Sequence, residues 1–224
     1  MDVKKAQTSC ILVSGGWEFM SPSGEKPPLQ QLAILTKAFD LMKYDVALLA
    51  QQEEELFDST VLDTTRKSAL KAPVSTMTMS NGMRIVFLRL PPLPPGQDQP
   101  SQKIIDSITG LIKTERTQAK LIVALSDWGW IGEREYLAAS PELVPDLLMG
   151  SGLGSGVNGR VEADGRCIWV RPYDKGRTIN EIQIFSWPRQ NELNKWTQTE
   201  HFRSISIGLN DQYKDNPAVD EVLR

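Results

Sequence analysis

The sequence predicts an α/β fold that closes with an antiparallel meander. Two patterns carry this. Through the first half, compact apolar runs alternate with segments whose apolar residues recur at helical spacing. In the last third, alternating strand-like runs are joined by turn signals, with no helical pattern between them.

The elements follow in order. "SCILVS" (9–14) is a short apolar run stopped by Gly15-Gly16 and reads as a buried strand. Residues 29–43 place Leu32, Leu35, Phe39 and Met42 on one helical face, with Pro27-Pro28 where a helix would begin. "DVALLA" (45–50) reads as the next strand, and "EEELF" (53–57) as a short helix. "STMTM" (75–79) and "RIVFLRL" (84–90) flank Asn81-Gly82, a hairpin signal. "PPLPPGQDQP" (91–100) is a proline-rich loop, either a surface connector or a polyproline-type ligand. Residues 102–113 form an amphipathic helix, "KLIVALS" (120–126) a buried strand, "REYLAAS" (134–140) a short helix and "DLLM" (146–149) a short strand. "GRVEA" and "RCIWV" flank Asp164-Gly165 as a second hairpin. "INEIQIFSW" (179–187) and "HFRSISIGL" (201–209) alternate as strands, and a polar tail ends in a short helical turn.

Composition excludes several classes. Lys plus Arg number 25 and Asp plus Glu 28, a net charge of −3, with no basic cluster of the kind that grips nucleic acid. No apolar run approaches the ~18 residues of a membrane span. The opening residues carry two lysines and then a four-residue apolar run, too short for a signal peptide. Cys10 and Cys167 both lie in strand-like runs and read as two buried thiols, with a disulfide as the alternative. The single histidine, His201, reads as structural; any His-dependent catalytic site would have to be built around it.

The segment "LLMGSGLGSG" (147–156) needs an explanation, because four glycines alternate with other residues after an apolar run. A dinucleotide loop would be followed by a helix, and here a hairpin follows. A phosphate-binding Walker loop would end in Gly-Lys-Ser/Thr, and none is present. A flexible loop and a phosphate cradle remain.

Several of these segments, in order, resemble the catalytic domain of the 5′-nucleotidase branch of the calcineurin-like metallophosphoesterases. "CILVSGGWEF" resembles that family's strand ending in Gly-Asp, and "AFDLMKYDVALLAQQEEELF" its helix and the strand leading to Gly-Asn-His-Glu. "GMRIVFLRL" resembles a following strand, "KLIVALSDWGW" the strand ending in Ser-His, and "PDLLMGSGLGSG" the Gly-Gly-His-x-His turn. "EHFRSISIGLNDQYKDNPAVDEVL" resembles the strand and acidic tail that close the domain. The resemblance implies one metallophosphoesterase-like domain over residues 1–224, a two-sheet sandwich flanked by helices. The family's first strand, with its Asp-x-His, is missing.

By the same resemblance the former metal-site positions are Gly16, Gln51, Gln52, Asp127, Gly152 and Gly154. Glu53 matches the family's glutamate. A two-metal centre clamps a bridging water between cations about 3.5–4 Å apart and needs carboxylate and imidazole ligands. Glycines supply none and glutamines only weak amide oxygens, so the resemblance implies no catalytic residues, no metal and no cofactor.

Glu53, Asp127, Trp128 and Trp130 are candidate weak ligand contacts. The tryptophans would stack a ligand or, on the plainer reading, pack in the core. The three acids Glu53 to Glu55 read as a solvated helix start, with a catalytic acid pair as the alternative. Arg171, Tyr173, Lys175 and Arg177 offer an anion or partner contact, with an exposed strand end as the alternative.

The implied function is a non-catalytic 5′-nucleotidase-like domain acting as a binding or assembly module. A protein partner or a fused domain would cover its incomplete sheet. The alternative is a residual metal-dependent phosphohydrolase using Asp127 and Glu53. Neither a nucleic-acid partner nor a membrane span is expected. The resemblance leaves an extracytoplasmic location open.

Overall fold

The computed structural model describes residues 10–58, 70, 72–173, 176–186 and 195–223. The chain divides into two compact units, one of residues 1–71 with 210–224, the other of residues 72–209. The architecture is mixed α/β, with multi-stranded sheets and flanking helices.

In the first unit, β1 (Val13–Ser14) and β2 (Val46–Ala47) pair in parallel. Between them runs α1 (Leu29–Met42), which ends at Lys43 in a left-handed conformation (φ 52°). The strand pairing is shorter than the apolar runs suggest. Residues 46–50 are all buried, yet only two of them join the ladder. The helix α2 (Gln51–Asp58) begins directly after them, two residues earlier than the sequence suggests. Phe19, Met20, Leu32, Phe39, Leu49, Leu56 and Phe57 make the core. The Phe19 ring meets Phe39 at 5.0 Å and Phe57 at 5.1 Å between centroids.

The second unit is built on a six-stranded sheet. Its strands are β3 (Val74–Thr78), β4 (Arg84–Arg89), β5 (Leu121–Ser126), β6 (Leu147–Gly150), β7 (Val157–Glu162) and β8 (Cys167–Arg171), in the order β3-β4-β5-β6-β8-β7. Strands β4, β5, β6 and β8 are parallel; β3 and β7 are antiparallel hairpin partners at the two edges. Between the parallel strands lie α3 (Gln102–Arg116) and α4 (Gly129–Ala138).

Both helices pack on one face of the sheet. Ile105, Ile108 and Ile112 of α3 and Tyr136 and Leu137 of α4 share a core with Val86, Leu88, Ile122, Ala124, Leu148 and Trp169. Strand β5 is buried along its whole length, as its unbroken apolar run requires of a central parallel strand. A separate ribbon pairs β9 (Thr178–Ile184) with β10 (Phe202–Gly208) antiparallel. Of the three apolar runs that read as buried strands early in the chain, only "KLIVALS" enters the large sheet.

Both hairpin signals are realised. Gly82 takes φ 81° and its N–H bonds Met79 O at 2.9 Å. At the second turn Ala163, Asp164 and Gly165 all have positive φ, which suits Asp and Gly and costs little there. The cysteines are both free: Cys167 is buried as the sequence suggests, whereas Cys10 is exposed, and residues 10–12 carry no strand.

Candidate functional site

Because β4, β5, β6 and β8 run the same way, the loops that follow them emerge at one edge of the sheet. These are the proline-rich loop 91–100, Asp127 with Trp128, the glycine run and the segment after Arg171. Asp127, Gly152 and Gly154 therefore belong to neighbouring loops of the second unit. Ser151 ties them together: its N–H and its hydroxyl both donate to Ser126 O, at 2.9 and 2.7 Å.

The glycine run is organised by a buried arginine. Arg171, at the end of β8, is 2% exposed, and a charge so placed must be fully partnered. Its Nε donates to Ser155 O at 3.1 Å, Nη1 to Ser151 O at 3.0 Å, and Nη2 to Gly152 O and Leu153 O at 3.0 and 3.1 Å. Its counter-charge is Glu133 of α4, fully buried, with the two groups 2.6 Å apart. Trp169 Nε1 donates to the other oxygen of that carboxylate at 2.8 Å. Burial pushes the Glu133 carboxyl up to about 7, against the opposing pull of Arg171 and of hydrogen bonds from Arg171, Trp169 and Ser126.

The same loop caps a helix. Gly129 N–H donates to Ser151 O at 3.0 Å, and Trp130 N–H donates to Leu153 O at 2.7 Å. These are first-turn amides of α4, which have no partner inside the helix. A phosphate cradle would leave such amides open to an anion; here carbonyls of the glycine run fill that place.

Each of the four glycines has a physical reason. A Cβ on Gly150 would fall 1.8 Å from Glu133 Oε2, so glycine makes room for the buried carboxylate. Gly152 and Gly154 have φ of +84° and +114°, conformations that other residues rarely adopt. A Cβ on Gly154 would also lie 2.3 Å from Trp130 Cβ, and one on Gly156 would meet the Tyr173 ring at 2.8 Å.

In the first unit, Gly16 follows β1 and Gln51 and Gln52 open α2 after β2, at the same end of two paired parallel strands. Glu53 joins these loops. Its carboxylate accepts from Trp17 N at 2.9 Å, Phe19 N at 2.7 Å and Ala50 N at 2.9 Å. The bond back to Ala50 is the reciprocal half of a helix capping box. Burial raises the Glu53 carboxyl, opposed by those three N–H donors, and the neighbouring Glu18 raises it further. Gln51 Nε2 bonds Glu55 one turn on at 3.0 Å, and Gln52 is exposed.

The remaining residues singled out by sequence have clear places. Trp128 is buried, its indole N–H donates to Pro91 O at 2.7 Å, and its ring meets Tyr136 edge-on at 6.0 Å. Trp130 lies beside Trp169, with the Arg134 guanidinium 4.5 Å from its centroid. His201 Nδ1 accepts from Thr197 N at 3.0 Å, a local turn contact. Tyr173 and Arg177 are exposed, and Lys175 lies outside the described residues.

Glu133 was not legible as a site residue. It sits in the charged string "GERE", and nothing local distinguishes it from its neighbour Glu135, which is partly exposed and bonded to Arg134. Among the described residues, no group of three or more His, Cys, Asp or Glu side chains is gathered so as to hold a metal ion.

The layout defines an α/β protein whose loops of interest gather at the carboxyl ends of parallel strands. No family model matches the chain, and no curated protein matches it. Among solved structures, the fold is similar to that of a 5′-nucleotidase from Candida albicans SC5314, with a TM-score of 0.53 and 12% sequence identity. The similarity covers 95% of this chain and 47% of that one, so this chain spans about half of that protein's length. At this identity the likeness concerns the fold. No helix among the described residues is long and apolar enough to cross a membrane.

Proposed function

We propose that this chain is a non-catalytic relative of the 5′-nucleotidase domain, used as a binding or assembly module. The observation that carries the reading is the state of the glycine run. The positions that resemble a pair of histidine ligands, Gly152 and Gly154, have left-handed backbones, and the carbonyls around them are held by Arg171. A cation centred there would face a buried guanidinium. Gly16 adds no side-chain ligand, and the Glu53 carboxylate already accepts three backbone N–H groups. These residues do not fit a two-metal centre, which needs several anionic or imidazole ligands converging on two cations.

The fold similarity extends over both compact units, which supports a single-domain reading of residues 1–224. The β1–β2 pair is only two residues long, and a partner chain or a fused domain is the proposed cover for the sheet that the resemblance leaves incomplete. The runner-up, a residual hydrolase working through Asp127 and Glu53, is disfavoured by the engagement of Glu53.

Metal content tests the proposal. The chain is purified, incubated with Mn²⁺ or Zn²⁺, passed through gel filtration and analysed by mass spectrometry for retained metal. The proposal expects metal well below one ion per chain. Retention near the two ions of a bimetallic centre would overturn it.

A further inference from the structure

Beyond the question of catalysis, the loop after β4 presents prolines in a form that a partner can read. Residues 91–95 are Pro-Pro-Leu-Pro-Pro. Proline fixes its own φ near −65° and pushes the residue before it into the extended region. Those two constraints together cover every residue from Leu90 to Pro95. Four of the five lack a backbone N–H, so the segment cannot join a sheet or a helix, and residues 91–94 carry neither. The preferred conformation is a polyproline II helix. It ends in a tight turn: Gln97 N–H bonds Pro94 O at 3.0 Å, with Gly96 at φ 77°.

The segment is pinned from one side and open on the other. Leu90 N–H bonds Leu125 O at 3.0 Å, and Pro91 O accepts the Trp128 indole N–H at 2.7 Å. Leu93 packs against the core of the second unit. Gly132 of α4 lies directly beneath: a Cβ there would meet Asp98 O at 3.0 Å and Leu93 Cδ1 at 3.3 Å. Pro92, Pro94 and Pro95 are exposed. With three residues per turn, Pro92 and Pro95 share one face, away from the anchored Leu93.

We propose that this loop is a docking site for a polyproline-reading domain, one whose groove is lined by parallel aromatic side chains. Residues 90–101 contain no cation and one acid, Asp98. A groove of the WW type, which reads ring faces and needs no basic flank on its ligand, is therefore the partner chemistry. Because the prolines and the anchors at Leu90, Pro91 and Leu93 already restrain the segment, little conformational freedom is lost on binding. The whole chain should therefore bind more tightly than the same residues as a free peptide.

The test titrates a purified, isotope-labelled WW domain that binds Pro-Pro-Leu-Pro peptides with three ligands. These are the full chain, the full chain carrying Pro92→Ala and Pro95→Ala, and a free peptide of residues 88–101. Both substitutions are at exposed positions, and a thermal melt confirms that the variant is folded. The expected result is movement of the groove's aromatic resonances with the full chain, at least several-fold weaker binding of the peptide, and loss of binding in the double variant. No response to the full chain, a response the double variant retains, or tighter binding of the free peptide than of the folded chain would each overturn the proposal.

Discussion

Arg171 of β8 and Glu133 of α4 form a fully buried ion pair, 2.6 Å apart, that holds the glycine run against the end of the sheet. Both are nearly excluded from solvent, at 2% and 0% exposure of their side chains. The guanidinium satisfies four loop carbonyls while it faces the carboxylate, so the loop's shape depends on the pair.

Replacing Arg171 with Met should therefore destabilise the second unit strongly. Removing one partner of a buried pair typically costs about 3–5 kcal/mol. Here four carbonyls also lose a donor. Chemical denaturation should show the loss. A variant within about 0.5 kcal/mol of wild type, the range of ordinary surface changes, would mean that the loop holds its shape without the arginine.

A pH dependence follows from Glu133. Its folded-state value is about 7, raised from 4.5 mainly by burial. The native state then holds a proton that the unfolded state has released, so this group's contribution is fully present below about 4.5 and is lost as pH rises toward about 7. Glu133→Gln removes that titration. Urea denaturation between pH 5 and 8 should show the stability difference, wild type minus variant, shrinking as pH rises. A constant difference, or one that grows, would contradict the assignment.

Placing a histidine at Gly154 should fail to create a ligand site. The position has φ +114° and a Cβ there would overlap Trp130. Gly154→His should cost about 1–3 kcal/mol through backbone strain and displace Trp130, visible as a change in intrinsic fluorescence. Unchanged stability and fluorescence would show that the loop accommodates a side chain.

Much of the fold was legible because its signals are local. The apolar stripe Leu32, Leu35, Phe39 marks α1, and Asn81-Gly82 and Asp164-Gly165 mark both hairpins. The unbroken run of β5 marks a central strand. What was hidden depends on partners far along the chain. Helix α4 begins at Gly129, five residues before its sequence signal, because its first amides bond Ser151 and Leu153. Arg171 reads as a surface cation until the carbonyls that surround it are in place. The acids of "EEEL" do lie at the start of α2, but the solvated face expected there fails at Glu53, which is buried because its carboxylate binds Trp17 N and Phe19 N.

The two triads of resembled positions each gather within one unit: Gly16, Gln51 and Gln52 in the first, Asp127, Gly152 and Gly154 in the second. In neither do side chains converge as metal ligands would, and the central claim is that this arrangement does not hydrolyse phosphate esters. The direct measurement is turnover of nucleoside 5′-monophosphates and a generic aryl phosphate by the purified chain, with Mg²⁺, Mn²⁺ and Zn²⁺ each supplied, beside a mock purification from the same host. The account predicts release of phosphate no faster than in the mock preparation. Turnover on the order of 1–10³ per second that follows the protein through gel filtration and is abolished by chelation would contradict it.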